Sequence, residues 1–247
     1  MEWRISSQLW CLFLDVDGTL LEIAATPDSV QVEASLRDLL DRLRTVLGGA
    51  VALISGRPIV NLDRLFGPHR GAAAGGHGLE RRDSQGRWHS QNGFDVATVA
   101  QARDRLRQLA DRLPGTILED KGLSVALHYR QVPHLESQVR SEMRAILRAL
   151  GSRLVLVEGR MVVELRLAGA NKADAIREFL GEAPFKGRRP IFIGDDVTDE
   201  KALEEVERIG GLSVAVGDRV RAMLRVSSPR DVRVFLEELA DAGAPPQ

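Results

Sequence analysis

The sequence predicts an α/β fold: a parallel-sheet core covered by helices on both faces, interrupted by an inserted α/β unit with an antiparallel sheet and its helices on one face. Three observations predict it. Short, continuous apolar runs alternate with amphipathic helical periodicity in the first and last thirds of the chain, the pattern of strands buried on both faces. Three of those runs end abruptly in polar residues of reactive type. The middle third changes rhythm to α-β-β-α-β-β, the order of a small antiparallel sheet carrying helices on one side.

In order along the chain, Cys11 to Leu14 is the first apolar strand. Leu36, Leu39, Leu40, Leu43, Val46 and Leu47 then share one face of a helix, and Ala50 to Ile54 completes a β-α-β unit. A helix is expected around Val96 to Leu113, strands over Thr116 to Glu119 and Leu123 to Arg130, a helix from about Leu135 to Leu150, and strands over Arg153 to Val157 and Met161 to Leu167. Gly159 and Arg160 mark a hairpin between the last two. These elements form the insertion, residues 94–168, between core segments 1–93 and 169–247. The first rhythm then resumes with a helix from about Asn171 to Leu180, a strand Pro190 to Ile193, a helix opening at Thr198, a strand Leu212 to Val216 and a final helix after Ser228-Pro229. No internal repeat is present, and a short Ala/Gly/Pro tail ends at Gln247.

Composition narrows the classes of function. A chain of 247 residues, 44% hydrophobic, is long enough for a core with an insertion. Its 34 basic and 35 acidic residues nearly cancel and aromatics are 4%, so neither nucleic acid nor a membrane is expected as a partner. Arginines between Ala102 and Arg112 alternate with Asp104 and Asp111, as on a solvated helix face. No apolar segment approaches the roughly 20 residues of a membrane span, and Asp15 breaks the first apolar run too early for a secretory signal. Cys11, the only cysteine, lies inside a strand and reads as core packing, which fits a reducing, cytoplasmic setting. Lysines are only Lys121, Lys172, Lys186 and Lys201, so a lysine at a chemically sensible position carries weight.

The chemistry gathers where strands end. Leu14 runs into Asp15-Val16-Asp17-Gly18-Thr19, Ile54 into Ser55-Gly56-Arg57, and Ile193 into Gly194-Asp195-Asp196. Ligands of open α/β sheets bind beyond the carboxyl ends of strands, so the three clusters converge on one crevice, within reach of Lys172 at the start of the helix after the insertion. Facing Asp clusters need a cation, and hard oxygen ligands with room for water and phosphate suit Mg²⁺ better than Zn²⁺. A carboxylate, a divalent cation, a hydroxyl and a lysine are what phosphoryl transfer requires. A turn at Gly18 lets Asp17 bring either its side chain or its carbonyl to the ligand. Taken singly, each cluster reads as ordinary loop chemistry, since Asp after a strand commonly turns the chain or caps a helix.

Together and in order, DVDGTLL, ISGR, the lysine of NKADA and GDDVTDE resemble the four motifs of haloacid-dehalogenase-type phosphatases. The resemblance implies a Rossmann-like core with an inserted cap domain, and it implies roles. Asp15 would attack phosphorus, and Asp17 would protonate the leaving oxygen and then activate water. Mg²⁺ would be held by Asp15, Asp17 through its carbonyl, Asp195 and Asp196, with Asp199 in support. Ser55 and Lys172 would bind the transferring phosphoryl group, with Thr19 and Arg57 also on the substrate.

Over nearly the whole chain, GGHGLE, EDKGLSVALHYR, GRMVVEL and GDDVTDE further resemble the trehalose-6-phosphate phosphatase family. That implies a phosphorylated disaccharide as substrate and places Glu119, Lys121, Arg130, Arg160 and Glu164 on its hydroxyls. His128 fits either a sugar contact or packing beside Tyr129. Strand alternation agrees with a polar cap face: Ser124, Ala126, His128 and Arg130 on one side, Val125, Leu127 and Tyr129 on the other, and likewise Val162, Glu164 and Arg166 against Val163, Leu165 and Leu167. Ala173 stands where relatives commonly have glycine, Arg160 where lysine is frequent, and Val162 where some have a polar residue, which leaves the sugar open. The alternatives are a phosphatase for a sucrose-, mannosylglycerate- or mannose-phosphate and a non-catalytic sugar-phosphate sensor. A trehalose-phosphate synthase partner is not readable from the residues.

Overall fold

Uninterrupted apolar strands can be buried on both faces only inside a covered sheet, and the chain builds one. The computed structural model describes residues 9–23, 30–67, 71–90, 96–122, 124–169 and 171–242. Its elements run β1 (Trp10–Leu14), α1 (Ala34–Val46), β2 (Val51–Ile54), α2 (Ile59–Phe66), β3 (Ala72–Gly75), β4 (Glu80–Arg82), β5 (Trp88–Ser90), α3 (Val96–Arg112), β6 (Ile117–Asp120), β7 (Ser124–His128), α4 (Glu136–Leu150), β8 (Leu154–Gly159), β9 (Val162–Leu167), α5 (Lys172–Leu180), β10 (Arg189–Gly194), α6 (Glu200–Arg208), β11 (Leu212–Val216), β12 (Leu224–Val226) and α7 (Pro229–Ala242). Leu123, the expected first residue of a strand, and the tail after residue 242 lie outside the described residues. By contact the described residues form two compact units, one drawn from residues 9–23, 30–67, 71–90 and 171–242 and one from residues 96–122 and 124–169.

The first unit carries an eight-stranded sheet in the order β12-β11-β10-β1-β2-β3-β4-β5. It is parallel from β12 to β3, and β4 and β5 extend it antiparallel. At its centre β1 pairs with β10, Phe13 opposite Phe192 and Leu14 opposite Ile193, and on its other side with β2. Under the sheet Phe13 stacks on Phe185 at 5.3 Å between ring centroids and leans on Phe179 at 5.9 Å. Each fully buried ring of this kind contributes about 1.5–3 kcal/mol from area alone. Cys11 is wholly buried in β1, and burial pushes its thiol up to about 12, so it behaves as a small apolar side chain.

Three differences from the expected elements have physical causes. The strand Ala72–Gly75 is all small residues, carrying none of the β-branched signal that marks a strand in a sequence. Helix α6 opens at Glu200 because the Asp199 carboxylate accepts the backbone N–H groups of Asp195 and Asp196, at 3.0 and 3.1 Å, and so shapes the preceding loop. The hairpin between β8 and β9 turns on Arg160 and Met161, since Gly159 pairs with Val162 across it and Met161 takes the left-handed φ of +59°.

In the second unit β6-β7-β9-β8 form an antiparallel sheet. Val125, Leu127, Val163, Leu165 and Leu167 are buried, as are Ala102, Leu106 and Leu109 of α3 and Val139 and Met143 of α4, the two helices that pack on these strands. No helix among the described residues is long and apolar enough to cross a membrane.

Candidate active site

The loops after β1, β2 and β10 and the first turn of α5 bring the reactive residues together. Asp15 follows β1 directly, its N–H donating to the Ile193 carbonyl at 3.0 Å, so the sheet ladder itself sets its position. Asn171 caps α5 by accepting the Asp174 N–H at 3.0 Å, which makes Lys172 the first helical residue. A cation there opposes the helix dipole. It is held nonetheless, because the buried ammonium donates to Asp15 Oδ1 and Asp199 Oδ1, both at 2.6 Å. Burial works against the Lys172 charge, but Asp15 and Asp199 outweigh it and raise its pKa above the usual lysine range.

Carboxylate oxygens of Asp15, Asp195 and Asp199 lie within 4.8 Å of one another, all three residues being buried. Burial pushes Asp15 up to about 7, with Lys172 opposing and Asp199 adding to the rise. Asp195 rises to about 9 through burial and then the like charges of Asp15 and Asp199. Thr19 Oγ1 donates to Asp15 Oδ2 at 3.2 Å and stands 3.4 Å from Asp195 Oδ1, bridging the two loops. Gly18, at φ +87°, makes the turn that permits this, and a Cβ there would stand 2.2 Å from Asp195 Oδ2. Three carboxylates facing one ammonium leave negative charge that a divalent cation with oxygen ligands would balance, so the residues fit a metal ion. Asp199 has one oxygen on Lys172 and the other on two backbone amides, which leaves Asp15 and Asp195 to offer oxygens.

Asp196, expected among the metal-holding residues, stands outside that group: its Oδ1 meets Arg219 at 2.7 Å and accepts the Val197 N–H at 2.7 Å. Arg57, expected on the substrate, grips Asp17 with two bonds, Nε to Oδ2 and Nη2 to Oδ1, each 2.7 Å. Ser55 Oγ accepts the Arg57 N–H at 3.0 Å, which leaves its hydroxyl proton to donate. The loop of Ser55 is braced from behind by the turn Gly76–Gly78. The His77 N–H donates to the Ser55 carbonyl at 2.9 Å and that of Gly76 to the Arg57 carbonyl at 3.1 Å. The His77 ring lies so close to Gly56 that a Cβ on that glycine would stand 2.6 Å from Nε2. Neither this brace nor Arg219 has a signature of its own, because both arise from tertiary approach of distant segments. Asp83, His89 and Glu182 also converge. The Asp83 oxygens accept from the amides of Gln85 and Arg87 and from the Arg87 and His89 side chains, while Glu182 pairs with Arg81, so that cluster locks a turn.

On the second unit, the sheet face opposite Val125, Leu127, Val163 and Leu165 carries a polar row. His128 Nε2 lies 2.7 Å from Glu119, and Lys121 donates to Glu164 at 2.8 Å with Glu119 at 3.9 Å. Glu119, Lys121, His128 and Glu164 are thus one linked group. Arg130 and Arg160 lie at the turn, the first donating to the backbone carbonyl of the second at 3.4 Å. Burial and then Arg160 lower the Arg130 pKa.

Comparison with known proteins agrees with this geometry. A family model described as trehalose-phosphatase matches residues 13–238. A protein of Sinorhizobium fredii named "Probable trehalose-phosphate phosphatase" is 46% identical over 213 residues, 86% of this chain and 80% of the relative. The "Trehalose-6-phosphate phosphatase" of Escherichia coli is 41% identical over 240 residues, 96% of this chain and 88% of the relative. Among solved structures, a "trehalose-6-phosphate phosphatase related protein" superposes with a TM-score of 0.82 at 28% identity, covering 94% of this chain and 98% of the other. The C-terminal domain of a C. albicans trehalose-6-phosphate phosphatase shares the fold, with a TM-score of 0.84 at 23% identity over 95% of this chain and 92% of the other.

Proposed function

The chain belongs to the trehalose-phosphatase family and is a phosphoric monoester hydrolase, and from that premise we propose that it hydrolyses trehalose 6-phosphate to trehalose and phosphate through an aspartyl-phosphate on Asp15, with Mg²⁺ as its metal ion. The observation that carries the reading is the buried Asp15 carboxylate, bonded by Lys172 and Thr19 and faced by Asp195.

In this reading one oxygen of Asp15 attacks phosphorus in line while the bond to the sugar oxygen breaks. Asp17 delivers a proton to that oxygen as it leaves. It then takes a proton from water, whose oxygen attacks the phosphoryl group, breaks its bond to Asp15 and restores the carboxylate. Ser55 donates its hydroxyl, and Lys172 its charge, to phosphoryl oxygens where negative charge accumulates. Asp17 is bonded to Arg57 through both oxygens, so it serves as acid only after one of those bonds is given up. Asp15, Asp195 and the Asp17 carbonyl would hold the metal, with Asp199 and Asp196 fixing the loop around them. A divalent ion bound there supplies positive charge to the phosphoryl oxygens. Glu119, Lys121, Glu164, His128, Arg130 and Arg160 would meet the sugar, whose neighbouring hydroxyls suit alternating acceptors and donors.

The test is phosphate release by the purified protein from trehalose 6-phosphate, sucrose 6-phosphate, glucose 6-phosphate and mannose 6-phosphate, with Mg²⁺ and with EDTA. The expected result is preferential release from trehalose 6-phosphate that stops on chelation and is restored by Mg²⁺. Metal-dependent release mainly from another sugar would overturn the substrate; release from none would overturn the catalytic reading. Borohydride reduction during turnover, followed by mass spectrometry, should mark Asp15.

A further inference from the structure

Ser124 on β7 and Arg166 on β9 stand directly opposite each other in the antiparallel register. Both fall on the sheet face that carries Glu119, His128 and Glu164, since Ala126 pairs with Glu119 on one side and with Glu164 on the other. Ser124 is wholly buried and its Oγ has no hydrogen-bond partner. Arg166 Nε and Nη1 are buried and likewise without partners. The adjacent acid, Glu164, is bonded to Lys121 at 2.8 Å.

Buried hydroxyls and guanidinium N–H groups are almost always bonded in native proteins, so those that are not call for a physical explanation. Here two orphaned groups share one cross-strand position, next to a linked polar group already suited to sugar. We propose that Ser124 and Arg166 form a further sugar-binding pair, the guanidinium donating to hydroxyl oxygens of the disaccharide and the serine hydroxyl accepting from one. The inference rests on the proposed substrate only in the identity of the sugar.

The experiment compares wild type with Ser124→Ala and Arg166→Met in steady-state kinetics on trehalose 6-phosphate and on p-nitrophenyl phosphate, which has no sugar to meet the pair. Losing one such bond should raise KM for the sugar phosphate about tenfold, with kcat changed less than about threefold and the p-nitrophenyl ester unaffected. Circular dichroism melting shows whether each variant folds, and Ser124→Ala, which removes a single oxygen, carries the test if Arg166→Met does not. KM within twofold of wild type for both variants overturns the inference, and so does an equal loss on both esters, which would mean the residues only hold the sheet. If wild type prefers another sugar phosphate, the proposed substrate falls, and the same variants read against that sugar still decide the pair.

Discussion

Replacing Lys172 with methionine keeps most of the side-chain volume and removes the one ammonium that faces Asp15, Asp195 and Asp199. At any given protonation state of the three carboxylates the cluster is one unit more negative in the variant than in the wild type, because only the lysine charge is removed. Breaking a buried ion pair by removing one partner costs about 3–5 kcal/mol. At about 2–4 °C per kcal/mol for a chain of this size, the melting temperature in EDTA at pH 8 should fall by about 6–20 °C. A divalent cation should then recover more in the variant than in the wild type, because the cluster it enters is more negative. Hydrolysis should fall at least as far as when one donor to a developing oxyanion is deleted, about 10²–10³-fold. Differential scanning fluorimetry with and without 5–10 mM Mg²⁺, roughly a saturating range for a weak carboxylate site, reads the stability part directly. A variant melting within about 2 °C of wild type in EDTA would refute the electrostatic account. So would a Mg²⁺ shift no larger than the wild type's, because lost packing alone has no reason to respond to the ion.

Three further outcomes follow from the same geometry. Burial holds Asp15 at about 7 and Asp195 at about 9, above the ordinary aspartate value of 3.8, so the metal-free fold holds protons that the unfolded chain releases. Their stabilising contribution is complete below pH 3.8 and is lost progressively from there until pH passes about 7 for Asp15 and about 9 for Asp195, so melting of EDTA-treated protein should fall over that whole range and flatten with Mg²⁺; a rise would contradict the burial of these groups. Gly18→Ala should lower metal affinity and melting temperature together, since its Cβ would stand 2.2 Å from Asp195 Oδ2 at a φ of +87°; unchanged Mg²⁺ titration would count against this packing. Asp17→Asn should depress hydrolysis of the alkyl ester about 10²–10⁴-fold while sparing phosphorylation of Asp15 by p-nitrophenyl phosphate, whose leaving group needs no proton; equal loss in both burst phases would remove Asp17 as the acid.

The parallel core was legible because Cys11–Leu14, Ala50–Ile54 and Pro190–Ile193 are unbroken apolar runs between periodic helices, and Leu212–Val216 is interrupted only by Ser213. The convergence of Asp15, Lys172 and Asp195 followed from where those strands end. Strands β3 to β5 escaped because β3 is built from alanine and glycine, β4 from glutamate and arginine, and β5 is only three residues long, its one strong strand former, Trp88, being followed by histidine and serine. The different partners of Asp196 and Asp199 were equally hidden. Adjacent and near-adjacent aspartates after a strand look alike until a loop folds, and only then does Asp199 find Lys172 and two amides while Asp196 finds Arg219. The paired bonds between Arg57 and Asp17, each 2.7 Å, were likewise not readable, because the two residues stand 40 positions apart in the chain.

The place of β1 between β10 and β2 also governs when the protein acquires its chemistry during synthesis. Trp10 must wait for Arg189, and Leu14 for Ile193, so one side of the central strand stays unpaired until most of the chain has left the ribosome. Pairings this distant in sequence form slowly. Nascent chains that stop before α5 possess Asp15 without Lys172, Asp195 or Asp199, so they hold the proposed nucleophile without the groups that surround it in the folded chain. Aborted synthesis therefore leaves an inert fragment with an open, aggregation-prone strand edge, and a ribosome-stalled series should gain protease resistance and metal-dependent activity in the same narrow window of length, after β10 emerges.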